Sequence, residues 1–258
     1  MATSSPAPAP AHTSSPAPTH TPTPAASVIL IPWDPDSPAH IDRMYEQRVA
    51  CGWKSEQVES WRELQRSGKF TLQWVVLSPT DPALPSKTTK HTTAYPKQST
   101  PLLDTATSLG GKPRPEDEIT GREFMPVGHI SLNTEYEEEG FVDPEEGLLF
   151  IATFWISPPL QSHGLGRASM NAIEHIATAP PLNARILALS TWSNSYSSDP
   201  ENEMWVALQR EPPKISNQDW YARRGYVVFK TVAEKWCERD SRGREWWFAG
   251  VFMRKVIA

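Results

Sequence analysis

The stretch Ile156-Ser-Pro-Pro-Leu-Gln-Ser-His-Gly-Leu-Gly-Arg-Ala168 is the part of the chain whose residue types and spacing point most directly to chemistry. An apolar strand runs into it and a helical pattern runs out of it. Gly164 and Gly166 let the backbone of the turn take unusual dihedrals and come close to a ligand. The first amides of the following helix have no intrahelical partner and face the same space, so the turn is suited to an anion such as a pyrophosphate. Arg167 in the first helical turn can meet a phosphate. The bland alternative is an ordinary strand-to-helix turn that uses glycine for its geometry. The spacing differs from G-x-G-x-x-G, and no P-loop is present.

The elements that would position this turn can be read on either side of it. GLLFIATFWIS at 147–157 is apolar almost throughout, as expected of a central strand covered on both faces. A helix is predicted over about 166–179, with Met170, Ile173, Ile176 and Ala177 inward, followed by a buried strand at 184–192. Strand, helix and strand make one right-handed crossover with parallel strands. Upstream, 27–34 and 70–77 read as strands. Between them lie two helices, one with Ile41, Met44, Tyr45, Arg48 and Val49 at three-to-four spacing, the other with Val58, Trp61 and Leu64. Residues 126–135 form the next strand. Downstream come a polar insertion at 193–215, a short helix at about 216–224, and two strands joined at Asp240–Gly243. The fold class expected is α/β with a mixed sheet of about seven strands, helices on both faces and one parallel pair.

The 156–168 stretch resembles motif A of the GNAT superfamily of acyl-CoA-dependent N-acetyltransferases, roughly V-x-P-x-x-Q/R-x-x-G-x-G/A. Ile156, Pro158, Gln161, Gly164 and Gly166 stand at its positions. Trp220 to Phe229, W-Y-A-R-R-G-Y-V-V-F, is similar to that family's aromatic-Tyr-x-x-x-Gly-aromatic segment. The resemblance covers about 27–258 and implies an enzyme that moves an acetyl group from acetyl-CoA to a primary amine in a ternary complex. It implies that the backbone of Phe154 and Ile156 pairs with the pantetheine arm where the parallel strands splay. It implies that N–H groups around Gln161, Ser162, His163, Gly164, Leu165, Gly166 and Arg167 hold the pyrophosphate, and that Tyr221 is the general acid. A phenol near pKa 10 can protonate a thiolate whose own pKa lies near 8.5, which agrees with that role. The alternative for Tyr221 is a core aromatic beside Trp220.

Some positions depart from the family pattern. Lys214 stands where an asparagine is common, seven residues before the tyrosine, and the central strand carries no carboxylate to serve as base. His129, Glu135 and Glu203 are candidate bases, each with a plain structural alternative. The acidic run Glu135–Glu146 holds seven acids in twelve residues and is expected as a solvated loop at the end away from the splay. Trp53, Trp192, Trp205, Trp246 and Trp247 lie in or near segments that would border an acceptor cleft. A non-catalytic acyl-CoA sensor or scaffold with the same fold is the alternative function.

Composition narrows the rest. Proline is 26 of 258 residues, with seven in 1–26 and seven in 78–118. Residues 1–26 hold no charged side chain and little to bury, so a disordered tail is expected there. Residues 78–123 are turn-rich and read as a flexible insertion. A net charge of −5 argues against a nucleic-acid partner, and no apolar run reaches the roughly 18 residues of a membrane span. Two cysteines, neither in a signature, point to a reducing compartment, cytoplasm or nucleus, and exclude a disulfide scaffold. No histidine or cysteine cluster has zinc spacing, so no metal is expected. The partner expected is a small-molecule or peptide amine.

Overall fold

The computed structural model describes residues 27–135, 147–197, 199 and 201–258. The tail and most of the acidic run, for which the sequence raised expectations, lie outside them. The chain opens with β1 (Val28–Pro32), α1 (Pro38–Cys51), α2 (Val58–Ser67) and β2 (Phe70–Leu77). It continues with α3 (Leu84–Ala94) and the two-residue strands β3 (Leu102–Leu103), β4 (Ser108–Leu109), β5 (Lys112–Pro113) and β6 (Glu123–Phe124). Then come β7 (Pro126–Asn133), β8 (Leu148–Ile156), α4 (Leu165–Thr178) and β9 (Ile186–Trp192). α5 (Glu203–Ala207), α6 (Asn217–Ala222), β10 (Val227–Arg239) and β11 (Glu245–Val256) complete it.

Seven strands form one sheet in the order β1-β2-β7-β8-β9-β11-β10. All neighbours are antiparallel except β8 and β9, the parallel pair expected at the crossover. Their ladder runs only from Leu148–Ile186 to Phe150–Ala188. Beyond it both strands continue, to Ile156 and Trp192, with no further rungs between them, so the sheet opens there. A bulge in β8 marks the same place: two residues, Thr153 and Phe154, stand opposite Ile130 of β7.

The helices cover the two faces unequally. α4 buries Leu165, Ser169, Met170, Ile173 and Ala177 against Val75, Val127, Leu149, Ile151 and Leu189 of the sheet. α1 and α2 cover the other face, where Met44, Val58 and Trp61 pack with Phe70, Leu72 and Trp74. The face α1 buries is mostly polar: His40, Arg43, Gln47 and Arg48 lie inside with Met44, while Tyr45 and Val49 are half exposed. Apolar spacing therefore misplaced this helix's inner side. Each buried polar group has a partner, as it must to offset its desolvation. Gln47 donates to the Pro126 carbonyl at 3.1 Å, and Arg43 donates to the Thr100 carbonyl at 2.6 Å.

Residues 78–123 correct the expectation of a flexible insertion. They carry a helix and two small strand pairs, β3 with β6 and β4 with β5. The helix α3 is rich in threonine and lysine and shows no apolar period that would mark it as a helix. Hydrogen bonding supplies what packing does not. Asp104 is buried and accepts from Arg114 Nη1 at 2.9 Å and from the Thr120 amide and hydroxyl at 3.1 and 3.0 Å. Burial pushes its carboxyl up, but these donors outweigh burial and hold it below the usual carboxylate range.

The ribbon of β10 and β11 has its largest irregularity between Val232 and Trp236, where three residues of β10 face one of β11. No helix among the described residues is long and apolar enough to cross a membrane.

Candidate functional site

Two cavities border the bulge of β8, one on each side of the sheet. The first, about 550 Å³, lies on the α4 side and is lined by Phe154, Trp155 and Ile156, by Gln161, Ser162, Gly164, Gly166 and Arg167, and by Ile215, Asn217, Trp220 and Tyr221. It thus gathers eight of the ten residues singled out from sequence. Of the other two, His163 is exposed and folds back, its Nδ1 sharing a 2.7 Å hydrogen bond with the Gln161 carbonyl. The Leu165 side chain is buried in the core, which leaves its backbone for the turn.

The turn is built for close approach. Ser162 and Gly164 have φ of 64° and 79°, in the left-handed region, and Gly164 is the N-cap of α4. A side chain at Gly164 would meet nothing, so glycine serves conformation there. At Gly166 a Cβ would make ordinary contacts, 3.7 Å from Trp220 and 4.0 Å from Phe154, the two rings that flank this part of the cleft. One expectation is trimmed. Gln161 Nε2 donates to the Ile156 carbonyl at 3.0 Å, so that carbonyl is already engaged on the protein side.

α6 brings Tyr221 into the cleft. Ser216 caps the helix by accepting from the Asp219 amide at 2.9 Å, while its hydroxyl donates to the Asp219 carboxylate at 2.7 Å. Asn194 ties the preceding insertion to the helix through Asp219 at 2.8 Å. The Tyr221 ring packs edge-on against Trp220 and Tyr226, with centroids 4.9 and 5.8 Å away. Burial pushes its phenol well above the usual range, opposed only in part by Arg224, so it is a protonated donor throughout the physiological range. Lys214, at the family's asparagine position, is exposed. Asn217 lines the cleft instead, one helical turn before Tyr221; an i, i+4 spacing was the signal available for it.

The second cavity, about 450 Å³, lies on the α1–α2 side and was not foreseen. Trp61, Leu64 and Phe70 form its apolar wall, Trp61 and Phe70 stacked at 5.2 Å. Lys54, Gln57, Lys69, Asn133 and Glu135 supply its polar lip, and Ala152 and Thr153 its floor on β8. Trp61 is the tryptophan that reaches it. Trp192 and Trp205 line a separate small cavity of about 190 Å³ next to α6 and pack with Phe248 and Trp246. Trp53 and Trp247 are exposed.

The candidate bases separate cleanly. His129 is fully buried, with Nδ1 2.8 Å from Gln47 Oε1 and Nε2 3.1 Å from Arg48 Nη1. Burial first, and the Arg48 charge second, hold its pKa far below that of a free imidazole. It belongs to the support of β7 and is removed as a base. Glu203 is exposed and paired with Arg244 at 2.8 Å. Glu135 stands at the lip of the second cavity and pairs with Lys69 at 2.9 Å.

A family model described as Acetyltransferase (GNAT) family matches residues 91–200. No curated protein matches the chain. Among solved structures, Arabidopsis thaliana NAA60 in complex with acetyl-CoA is 12% identical over 89% of this chain and 98% of its own, at a TM-score of 0.48. An aminoglycoside 6'-N-acetyltransferase complexed with coenzyme A is also 12% identical, over 89% and 97%, at 0.48. The putative acetyltransferase yncA from Salmonella typhimurium with acetyl-CoA is 12% identical over 90% and 95%, at 0.46.

Proposed function

We propose that this chain, which belongs to the GNAT family of acetyltransferases, moves an acetyl group from acetyl-CoA to a primary amine. The observation that carries the reading is one cleft that holds both the glycine turn at the head of α4 and the phenol of Tyr221, at the point where the β8–β9 ladder ends. The residues fit such a co-substrate. The turn exposes amides of the α4 N-terminus beside Arg167, which suits a pyrophosphate, and Phe154 and Trp220 line the same cleft beside Gly166, where an extended arm would lie. Bound there, acetyl-CoA supplies an activated acetyl thioester.

The second cavity takes the amine, which reaches the thioester through the gap between β8 and β9. An ordinary amine is protonated at neutral pH and sheds a proton to solvent before it attacks. A new C–N bond forms, the C–S bond breaks, and the phenol of Tyr221 gives its proton to the leaving sulfur; the nitrogen, cationic once it has attacked, gives up its second proton to solvent to become the amide, and the phenol is reprotonated from solvent. A thiol-release assay with acetyl-CoA and a panel of phenethylamine, spermidine and a tetrapeptide with a free N-terminus tests this reading. Release with at least one amine is expected. Tight CoA binding with no release would favour the sensor reading.

A further inference from the structure

Thr153 is the residue of β8 that the fold treats most unusually. It is β-branched, it sits in the strand that borders both cavities, and yet its φ is 48°. A β-branched side chain in the left-handed region is strained, and such strain persists where the surroundings fix it and collects at functional sites. What fixes it here is a chain of hydroxyls. Thr153 Oγ1 donates to Ser131 Oγ at 2.9 Å, and Ser131 Oγ donates to Asn133 Oδ1 at 3.1 Å.

The direction of that chain settles what Thr153 can do. The amide oxygen of Asn133 only accepts, so the single proton of Ser131 is used there. Ser131 must then accept from Thr153, which uses the single proton of Thr153. The remaining lone pairs on Thr153 Oγ1 can accept a hydrogen bond but the group has none left to donate. Thr153 lines the floor of the second cavity, and the next residue, Phe154, lines the first. A hydrogen-bond acceptor is therefore held at the boundary between the two.

We propose that Thr153 Oγ1 binds the acceptor, taking a hydrogen bond from an N–H of the primary amine and so turning the nitrogen lone pair toward the thioester, with Ser131 as a positioning residue that keeps the hydroxyl in its accepting orientation. The inference rests on the acetyltransferase reading. No bond to Thr153 forms or breaks; it orients the nucleophile.

Steady-state kinetics with the amine of the panel that wild type turns over, beside calorimetry with acetyl-CoA, tests it. Thr153→Val keeps the shape and branching and removes only the hydroxyl. The amine KM is expected to rise at least tenfold while the acetyl-CoA Kd stays within twofold, and Thr153→Ser restores the KM to within about threefold. Ser131→Ala, which touches neither substrate, raises the amine KM and leaves the acetyl-CoA Kd alone. Thr153→Gly suits the left-handed backbone, so it covers the case in which the valine variant does not fold. It is expected to melt no lower than wild type and still to lose amine affinity tenfold.

A Thr153→Val or Thr153→Gly enzyme with wild-type amine kinetics overturns the assignment. So does an equal loss of acetyl-CoA affinity, which would make the bulge a cofactor feature. Wild type that releases no thiol with any amine overturns the acetyltransferase reading itself, and that result is seen before any variant is made.

Discussion

On the α4 side of β8 the cleft presents backbone to a ligand: a turn with two residues at positive φ and the first amides of a helix. On the α1–α2 side the pocket is made of side chains, with a stacked Trp61–Phe70 wall, a lip of lysines, Gln57, Asn133 and Glu135, and a threonine hydroxyl. Backbone amides read a shape common to every phosphate and need only glycine at fixed places. Side chains can be exchanged singly without disturbing the turn. A molecule arranged this way can keep one donor of acetyl groups and change what it acetylates.

The largest effect expected is at Tyr221, on the α4 side. Tyr221→Phe keeps the ring packed on Trp220 and removes the hydroxyl. Turnover is expected to fall by roughly 10²-fold, the low end for general acid catalysis, with little change in KM for acetyl-CoA. A core tyrosine would instead give near-normal turnover and a small shift in Tm; both are read from one preparation.

Gly164→Glu attacks the backbone side alone. It puts a carboxylate where a pyrophosphate would sit and forces a non-glycine residue to a φ of 79°. CoA affinity is expected to drop at least tenfold, about 1.4 kcal/mol, with the amine KM unchanged. Calorimetry that finds normal affinity in the folded variant would separate the turn from CoA.

His91 of α3 sharpens the comparison from behind the turn. It is fully buried, and its Nδ1 shares a 2.9 Å hydrogen bond with the hydroxyl of Ser157, the residue that leads into the turn. Burial first, then the Arg43 charge, lowers its pKa to about 4. The unfolded chain therefore binds the proton more readily than the folded one between pH 6.5 and about 4. Stability present above pH 6.5 is lost as the pH falls through that window, by up to about 1.4 kcal/mol per pH unit from this group. His91→Asn is expected to flatten the fall in Tm across it, and an unchanged slope would assign the acid sensitivity to other groups such as His129 and His40. The smallest effect expected is at the tail. Removing residues 1–26 leaves Tm and CoA affinity unchanged, because the segment brings no charge and little apolar surface; a loss of several degrees would show that it docks.

The same contrast explains what could be read in advance. The glycine turn and the parallel pair were legible because each rests on local rules: glycine where φ is positive, and an unbroken apolar strand. The second cavity was not, because Trp61, Asn133 and Thr153 come from three elements and only the sheet order brings them together. Nor was the order in 78–123, which depends on Asp104 gathering Arg114 and Thr120 rather than on any apolar period. His129 looked like a base by residue type, and only its burial between Gln47 and Arg48 removed it.

The irregular stretch of β10 has a consequence for the molecule in a crowded solution. β10 closes one edge of the sheet, and Val227, Val228 and Phe229 are exposed along it. A long, flat, apolar edge is a template onto which another chain can add a strand and begin an aggregate. The extra residues between Val232 and Trp236 break the regular row of edge amides and carbonyls, and Lys235 within them sets its ammonium 4.2 Å over the ring of Phe252. The break divides the edge into two runs, each a poorer template than thirteen unbroken residues. A strand added along this edge would have to match two short runs in different register rather than one continuous ladder.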